Sequence, residues 1–230
     1  MTMVGVTVVF DLDGTLVDTA PDLVETLNVV FAREGLPAVP FEQARNLIGG
    51  GARRMIEQGL LEARRSSASA DIDRLFAEFT QHYSAHIADR SRPFPQVEAA
   101  LDALVADGAR LAVCTNKLEW LSVKLLDALG LSHRFWAVCG QDTFGVQKPD
   151  PEIVHKTILQ AGGRPERAIM VGDSPTDINA ARAAGIPVVA VDFGYTEIPV
   201  VALKPDRVIS RYDQLPGAVR DLTTVCMPGP

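Results

Sequence analysis

Val8 to Thr19 read VVFDLDGTLVDT. An apolar, β-branched run stops abruptly at Asp11 and Asp13, with Gly14 and Thr15 directly behind. The run is continuous rather than alternating, which is the pattern of a strand covered on both faces in a parallel sheet. Two carboxylates one residue apart repel each other. Placing them at the end of a buried strand raises the free energy unless a cation or a shared proton relieves the repulsion.

The apolar run extends over residues 4–10, and four others like it follow at 110–114, 135–139, 168–171 and 187–191. Helical spacing fills the gaps between the later ones, in Leu101, Leu104 and Val105 and again in Leu121, Leu125, Leu126 and Leu129. Strand alternating with helix predicts an α/β fold, a Rossmann-like, doubly wound parallel sheet. Residues 19–90 break the alternation. They show helical periodicity over 21–33, 41–47, 52–64 and 72–87, punctuated by Gly35 with Pro37, by Gly49-Gly50-Gly51, and by the serine-rich stretch 66–69. The expected organisation is an α/β core made of 1–18 and 91–230, with an all-helical cap, 19–90, inserted after the first strand. The end of the chain beyond Thr223 reads as a loose tail.

Composition narrows the function classes. With 47% hydrophobic and 22% charged residues the chain can fill a core, and its net charge of −7 and pI near 5.1 argue against nucleic acid or an anionic membrane as partner. The first residues lack the basic start and long apolar run of a signal peptide, and no stretch approaches the ~20 apolar residues of a membrane span. Cys114, Cys139 and Cys226 are few and far apart, and the first two sit in strand-like runs. They read as small buried hydrophobes in a reducing, cytoplasmic protein. Neither a monomer nor a homodimer is excluded.

In an open parallel sheet, ligands bind beyond the carboxyl ends of the strands. Asp11 and Asp13 follow the first strand; Thr115, Asn116 and Lys117 the second; Lys148, Pro149 and Asp150 lie in a loop beyond the third; Gly172, Asp173, Ser174 and Asp177 follow the fourth. All should gather on one edge. Asp11, Asp13 and Asp173 with few softer ligands suit a hard cation, and magnesium (Mg2+) fits best. A metal, a carboxylate, a lysine and a hydroxyl together suggest phosphoryl transfer to a carboxylate nucleophile. Lys148 would neutralise the phosphate, Thr115 and nearby N–H groups would hold its oxygens, and Asp13 remains as acid and base. Asn116 with Glu119 has the spacing of a capping box that would aim a helix N-terminus at the anion.

FDLDGTLVD at residues 10–18, Thr115, Lys148-Pro149 and GDSPTD at residues 172–177 resemble, in order, the four motifs of the haloacid dehalogenase superfamily. That resemblance implies Asp11 as nucleophile and Asp13 as acid/base that also offers a main-chain carbonyl to magnesium. It further implies Thr115, Asn116 and Lys148 as phosphate-binding, Asp173 as metal ligand and Asp177 as support. FDLDGTLVDTAPDL, LAVCTNK, VGDSPTDINAARAAGIPVVAV and FGY are similar to the phosphoglycolate phosphatases within it, which implies a small phosphorylated metabolite, 2-phosphoglycolate, as substrate. Asp13 sets the chain apart from the dehalogenases, which lack this acid, and Thr15 from the sugar phosphomutases, which usually carry valine there. The resemblance departs at PFPQV, where Gln96 stands in the place of a glycine near the cap hinge.

Several residues keep two readings. Ser174, Pro175 and Asp177 also fit a helix start, so Asp177 can cap and support at once. Asp18 suits the hinge better than a metal, and Thr19 with Asp22 fits a helix cap. Gly50 and Arg53 could select the substrate by binding its carboxylate, or form a flexible turn with a solvated arginine. His82 and His86, four residues apart, read as packing. Other phosphoesters (a nucleotide, a sugar phosphate, pyrophosphate) remain alternative substrates, and non-catalytic phosphate binding a remote one. A phosphonate hydrolase would need a cap lysine, and residues 19–89 contain none.

Overall fold

The structure is a computed structural model and describes residues 2–63, 65 and 69–226. Arg64, predicted to end a helix, and most of the serine-rich stretch, 66–68, lie outside the described residues. Six strands form one parallel sheet: β1 (Thr7–Phe10), β4 (Arg110–Cys114), β5 (Ala137–Cys139), β6 (Ala168–Gly172), β7 (Val188–Val191) and β8 (Arg207–Ile209). Their order is β5-β4-β1-β6-β7-β8. Counted along the chain within this sheet, that is 3-2-1-4-5-6, which reverses direction between β1 and β6 and opens a crevice there. Phe10 pairs with Val113 on one side and Val171 on the other, so the ends of β1, β4 and β6 are in step.

Both faces of the sheet are covered, as the unbroken apolar runs require. Val8 and Phe10 pack with Val113, Ile169 and Val171 toward α5 (Val97–Ala106) and α9 (Leu215–Cys226). Val9, Met170 and Ala190 face the other way, toward α7 (Pro151–Gln160) and α8 (Pro175–Ala183). A further helix, α6 (Glu119–Ala128), packs by β5. Two expectations at the ends of this core need correction. Residues 4–5 form a turn, Gly5 at φ +79° and Val4 two-thirds exposed, so the first strand starts at Thr7. And α9 continues as far as Cys226, three residues into the stretch expected as a loose tail, the rest of which, 227–230, lies outside the described residues.

Between β1 and β4 the chain builds α1 (Ala20–Arg33), α2 (Phe41–Arg45), α3 (Ala52–Glu62) and α4 (Ser69–Ala85). Leu27, Val30, Phe31, Ile56, Leu60, Leu75, Phe79 and Tyr83 bury one continuous helical core. A Cβ at Gly59 would lie 2.8 Å from the Phe31 ring, so this glycine sets how closely α3 approaches α1. Gly35, at φ +66°, ends α1 in a Schellman motif, with Leu36 N–H bonded to Phe31 O and Gly35 N–H to Ala32 O.

The two passages between insert and core form a ribbon that the sequence pattern did not reveal: β2 (Val17–Asp18) pairs antiparallel with β3 (Arg92–Pro93). Asp22 does not cap α1. Its buried carboxylate accepts from Arg90 N–H at 3.0 and 3.1 Å, Ser91 N–H at 2.7 Å and Ser91 Oγ at 2.6 Å, and so ties the outgoing helix to the returning chain. Gln96 carries the left-handed backbone, φ +69°, that a glycine adopts without strain.

Candidate active site

Asp11 leaves the end of β1 with its N–H on Val171 O of β6, on the switch-point crevice. It is 6% exposed. Lys148 Nζ lies 2.8 Å from Asp11 Oδ1 and 2.6 Å from Asp177 Oδ1, and the lysine side chain is 1% exposed. Burial opposes the Lys148 ammonium, but the Asp11 and Asp177 carboxylates more than offset this and hold it protonated above the ordinary lysine range. Asp177 performs both readings given to it. One oxygen takes Lys148, while the other accepts from Asp173 N–H, Ser174 N–H and Ser174 Oγ in a capping box that starts α8.

Asp173 is wedged in place. Its Oδ1 accepts from Thr15 Oγ1 at 3.1 Å, and its Oδ2 from Tyr195 N–H at 2.7 Å. Gly14, at φ +81°, passes so close that a Cβ there would lie 2.6 Å from Asp173 Oδ2. The Tyr195 hydroxyl donates to Asp18 at 2.6 Å and accepts from Ala20 N–H at 3.0 Å, so Asp18 belongs to the hinge.

Among the described residues, Asp11, Asp173 and Asp177 bring ligand oxygens within 4.8 Å of one another. Burial first, and then the neighbouring carboxylates, push Asp11 up to about 6 and Asp173 up to about 8. Those shifts are the signature of crowded anions, and an all-oxygen, all-carboxylate donor set fits a hard divalent cation. The Asp13 carboxylate, named above among the metal residues, is outside this cluster. It is held on both oxygens by Lys117 Nζ at 2.9 Å, a pair that is 13% and 5% exposed, which leaves only the Asp13 main chain to serve a metal.

Thr115 is 2% exposed at the end of β4, and its Oγ1 accepts from Lys117 N–H at 3.2 Å. Asn116 does not start a capping box. Its side chain clamps the Lys148 main chain, accepting from Lys148 N–H at 2.9 Å and donating to Lys148 O at 3.1 Å, so it braces the lysine. Helix α6 begins three residues on, where Asp142 accepts from Glu119 N–H at 2.8 Å.

Gly50 and Arg53 stand at the rim of a cleft of about 600 Å³ that leads down to Lys148 between insert and core. Arg53 is drawn outward: it pairs with Asp73 at 2.6 Å, lies over the Phe76 ring and is 46% exposed. The insert is latched to the core elsewhere. Arg45 donates to Gly194 O at 2.9 Å and Asn46 to Glu197 at 3.1 Å. His82 and His86 stack with centroids 4.6 Å apart and bond to Thr26 and Asp89, a packing arrangement. Cys114 and Cys139 are free and buried, and burial pushes the Cys114 thiol up to about 12. By sequence Lys117 falls on this edge and Asp22 reads as a helix cap, but the Lys117–Asp13 pair, Asn116 as a clamp, Asp22 as the tie to Ser91 and Arg45 as a latch have no signal in motif or spacing.

Comparison with known proteins agrees with this geometry. Residues 8–191 match the haloacid dehalogenase-like hydrolase family. A relative from Mesorhizobium japonicum named phosphoglycolate phosphatase is 50% identical over 208 residues, 90% of this chain and 92% of its own length. One of the same name from Caulobacter vibrioides is 47% identical over 222 residues, 96% of this chain and 94% of its own. A crystal structure described as a predicted phosphoglycolate phosphatase from Haemophilus somnus superposes with a TM-score of 0.86 at 31% identity, over 94% of this chain and 98% of that one. With the matched region reaching from the strand before Asp11 to the strand after Asp173, the chain belongs to the haloacid dehalogenase-like hydrolases.

Proposed function

We propose that this chain is a phosphatase that hydrolyses 2-phosphoglycolate to glycolate and phosphate through a phosphoryl group carried on Asp11, with the helical insert as its cap. One observation carries the chemistry: a carboxylate at the switch point, 2.8 Å from a buried lysine that Asp177 and Asn116 hold from behind. The substrate rests on the name shared by the relatives of 47–50% identity. Two free buried thiols suit a reducing, cytoplasmic setting, and among the described residues no helix is long and apolar enough to cross a membrane.

In this mechanism Asp11 forms a bond to phosphorus as the ester P–O bond breaks. Lys148 and Thr115 hold the charge on the phosphoryl oxygens. In its protonated form Asp13 gives a proton to the departing alkoxide; its carboxylate then takes one from water as that oxygen attacks phosphorus and the Asp11–phosphorus bond breaks, which restores the acid. Asp11, Asp173 and the Asp13 carbonyl are the residues to hold magnesium, which when bound would neutralise phosphate charge. The insert limits water at the site while the first transfer proceeds.

The test is phosphate release from 2-phosphoglycolate beside a nucleotide, a sugar phosphate and pyrophosphate, with magnesium and with a chelator. The highest kcat/KM is expected for 2-phosphoglycolate and none after chelation. A higher value for another ester would reassign the substrate, and no release from any of them would refute the enzyme.

A further inference from the structure

Between Asp13 and the insert lies a narrow cavity of about 30 Å³. At roughly 10–15 Å³ per water-sized group, it takes two or three such groups and no more. Its position beside the proposed acid places it where the leaving group must sit. Its walls are largely apolar, from Leu23, Ile48, Met55, Phe79 and Leu121, and a few donors stand among them. Lys117 presents a buried ammonium, already on Asp13 and 4.5 Å from the centre of the Tyr83 ring. Tyr83, from α4, is fully buried, and its hydroxyl is unpartnered. Gly51 and Ala52 bring the start of α3, which has no side-chain cap, to the same cavity.

A buried hydroxyl without a partner costs on the order of 1–3 kcal/mol, so a ligand that accepts from it is favoured. A lysine, a phenol and a helix N-terminus around one small cavity select a compact anion with at least two acceptor oxygens. We infer that Lys117 and Tyr83 form a specificity subsite that reads a carboxylate on the leaving group, and that the cavity limits that group to about two carbons. The inference rests on the reading above that Asp11 cleaves a phosphate ester. It moves substrate selection from Arg53, which is engaged by Asp73, to residues behind Asp13.

The experiment compares kcat/KM for 2-phosphoglycolate and for 2-hydroxyethyl phosphate, an ester of similar size whose leaving group carries no charge, in the wild type, Tyr83→Phe and Lys117→Gln. Each variant should lower the preference for the carboxylate ester by about 10–100-fold, the loss of one charge-assisted hydrogen bond. Any general effect on Asp13 cancels in the ratio. Tyr83→Phe removes only an unpartnered oxygen, so it should fold and melt no lower than wild type, and it decides the matter alone if Lys117→Gln does not fold. A wild type without preference for the carboxylate ester would overturn the substrate reading and this inference together. A wild-type preference that survives in the variants, including one that persists while both rates fall in parallel, would overturn the subsite alone.

Discussion

Replacing Lys148 by methionine removes one ammonium from among three buried carboxylates while keeping most of the volume. The lysine lies 2.8 Å from Asp11 and 2.6 Å from Asp177, at 1% exposure. Removing one partner of a buried pair costs about 3–5 kcal/mol. For a chain of this size each kcal/mol lowers Tm by roughly 2–4 °C, so a fall of about 6–20 °C is expected at pH 8. The penalty must depend on pH. Asp11, raised to about 6, carries a proton in the folded protein at pH 5 and has lost it at pH 8, while Asp173, raised to about 8, is protonated at pH 5 and about half protonated at pH 8. Asp177 keeps three other donors throughout. The gap in Tm between wild type and Lys148→Met should therefore shrink on going from pH 8 to pH 5, measured by thermal denaturation in chelator. A gap that is the same at both values, or a loss below about 1 kcal/mol at pH 8, would refute the charge balance described for this site.

The wild type should itself show the linkage. A carboxyl whose folded pKa is raised stabilises the fold below its unfolded value, 3.8 for aspartate, and loses that contribution as pH rises through the folded one. Without metal, stability should fall from about pH 4 to about pH 8, and the Tm increase on adding magnesium should be larger at pH 8 than at pH 5; equal increases would argue against a cation at this cluster. Asp22→Ala leaves the buried Ser91 N–H and hydroxyl without their acceptor and should cost about 2–4 kcal/mol in urea denaturation, with faster proteolysis at the hinge; an unchanged midpoint would remove Asp22 from that role. Gly14→Ala drives a Cβ to 2.6 Å from Asp173 Oδ2 at φ +81°, so magnesium affinity by calorimetry should drop at least tenfold, and wild-type affinity would contradict the wedging of Asp173.

What could be read in the sequence depended on range. Strands β1, β4 and β6 are buried on both faces, so their apolar runs needed no partner to be recognised, and the residues just past them fell on one edge by topology. Asp11, Thr115 and Asp173 were legible for that reason, and Lys148 through its pairing with Pro149 in the loop beyond β5. The ribbon of β2 and β3 has two residues per strand, and edge strand β8 has three with only Ile209 buried, too little for any period to show. The rest of the site is built from pairs remote in the chain. Lys117 falls on the ligand edge by sequence, but its partner cannot be read until Asp13, 104 residues away, is seen to hold it. Arg53 looks free until Asp73 appears on the facing helix. The spacing of Asn116 and Glu119 fitted a cap, but Leu118 is the residue at the start of α6, and the Asn116 side chain is bonded to the Lys148 main chain.

The central claim is that Asp11 carries the phosphoryl group. Enzyme quenched in acid during turnover of 2-phosphoglycolate, then reduced with borohydride and digested, would convert a phosphorylated aspartate to homoserine. Mass spectrometry should find that residue at position 11, in the wild type and not in Asp11→Asn, which should be folded and inactive. Active enzyme that yields no reduced residue at 11, or yields it at Asp13 or Asp173, would contradict the account.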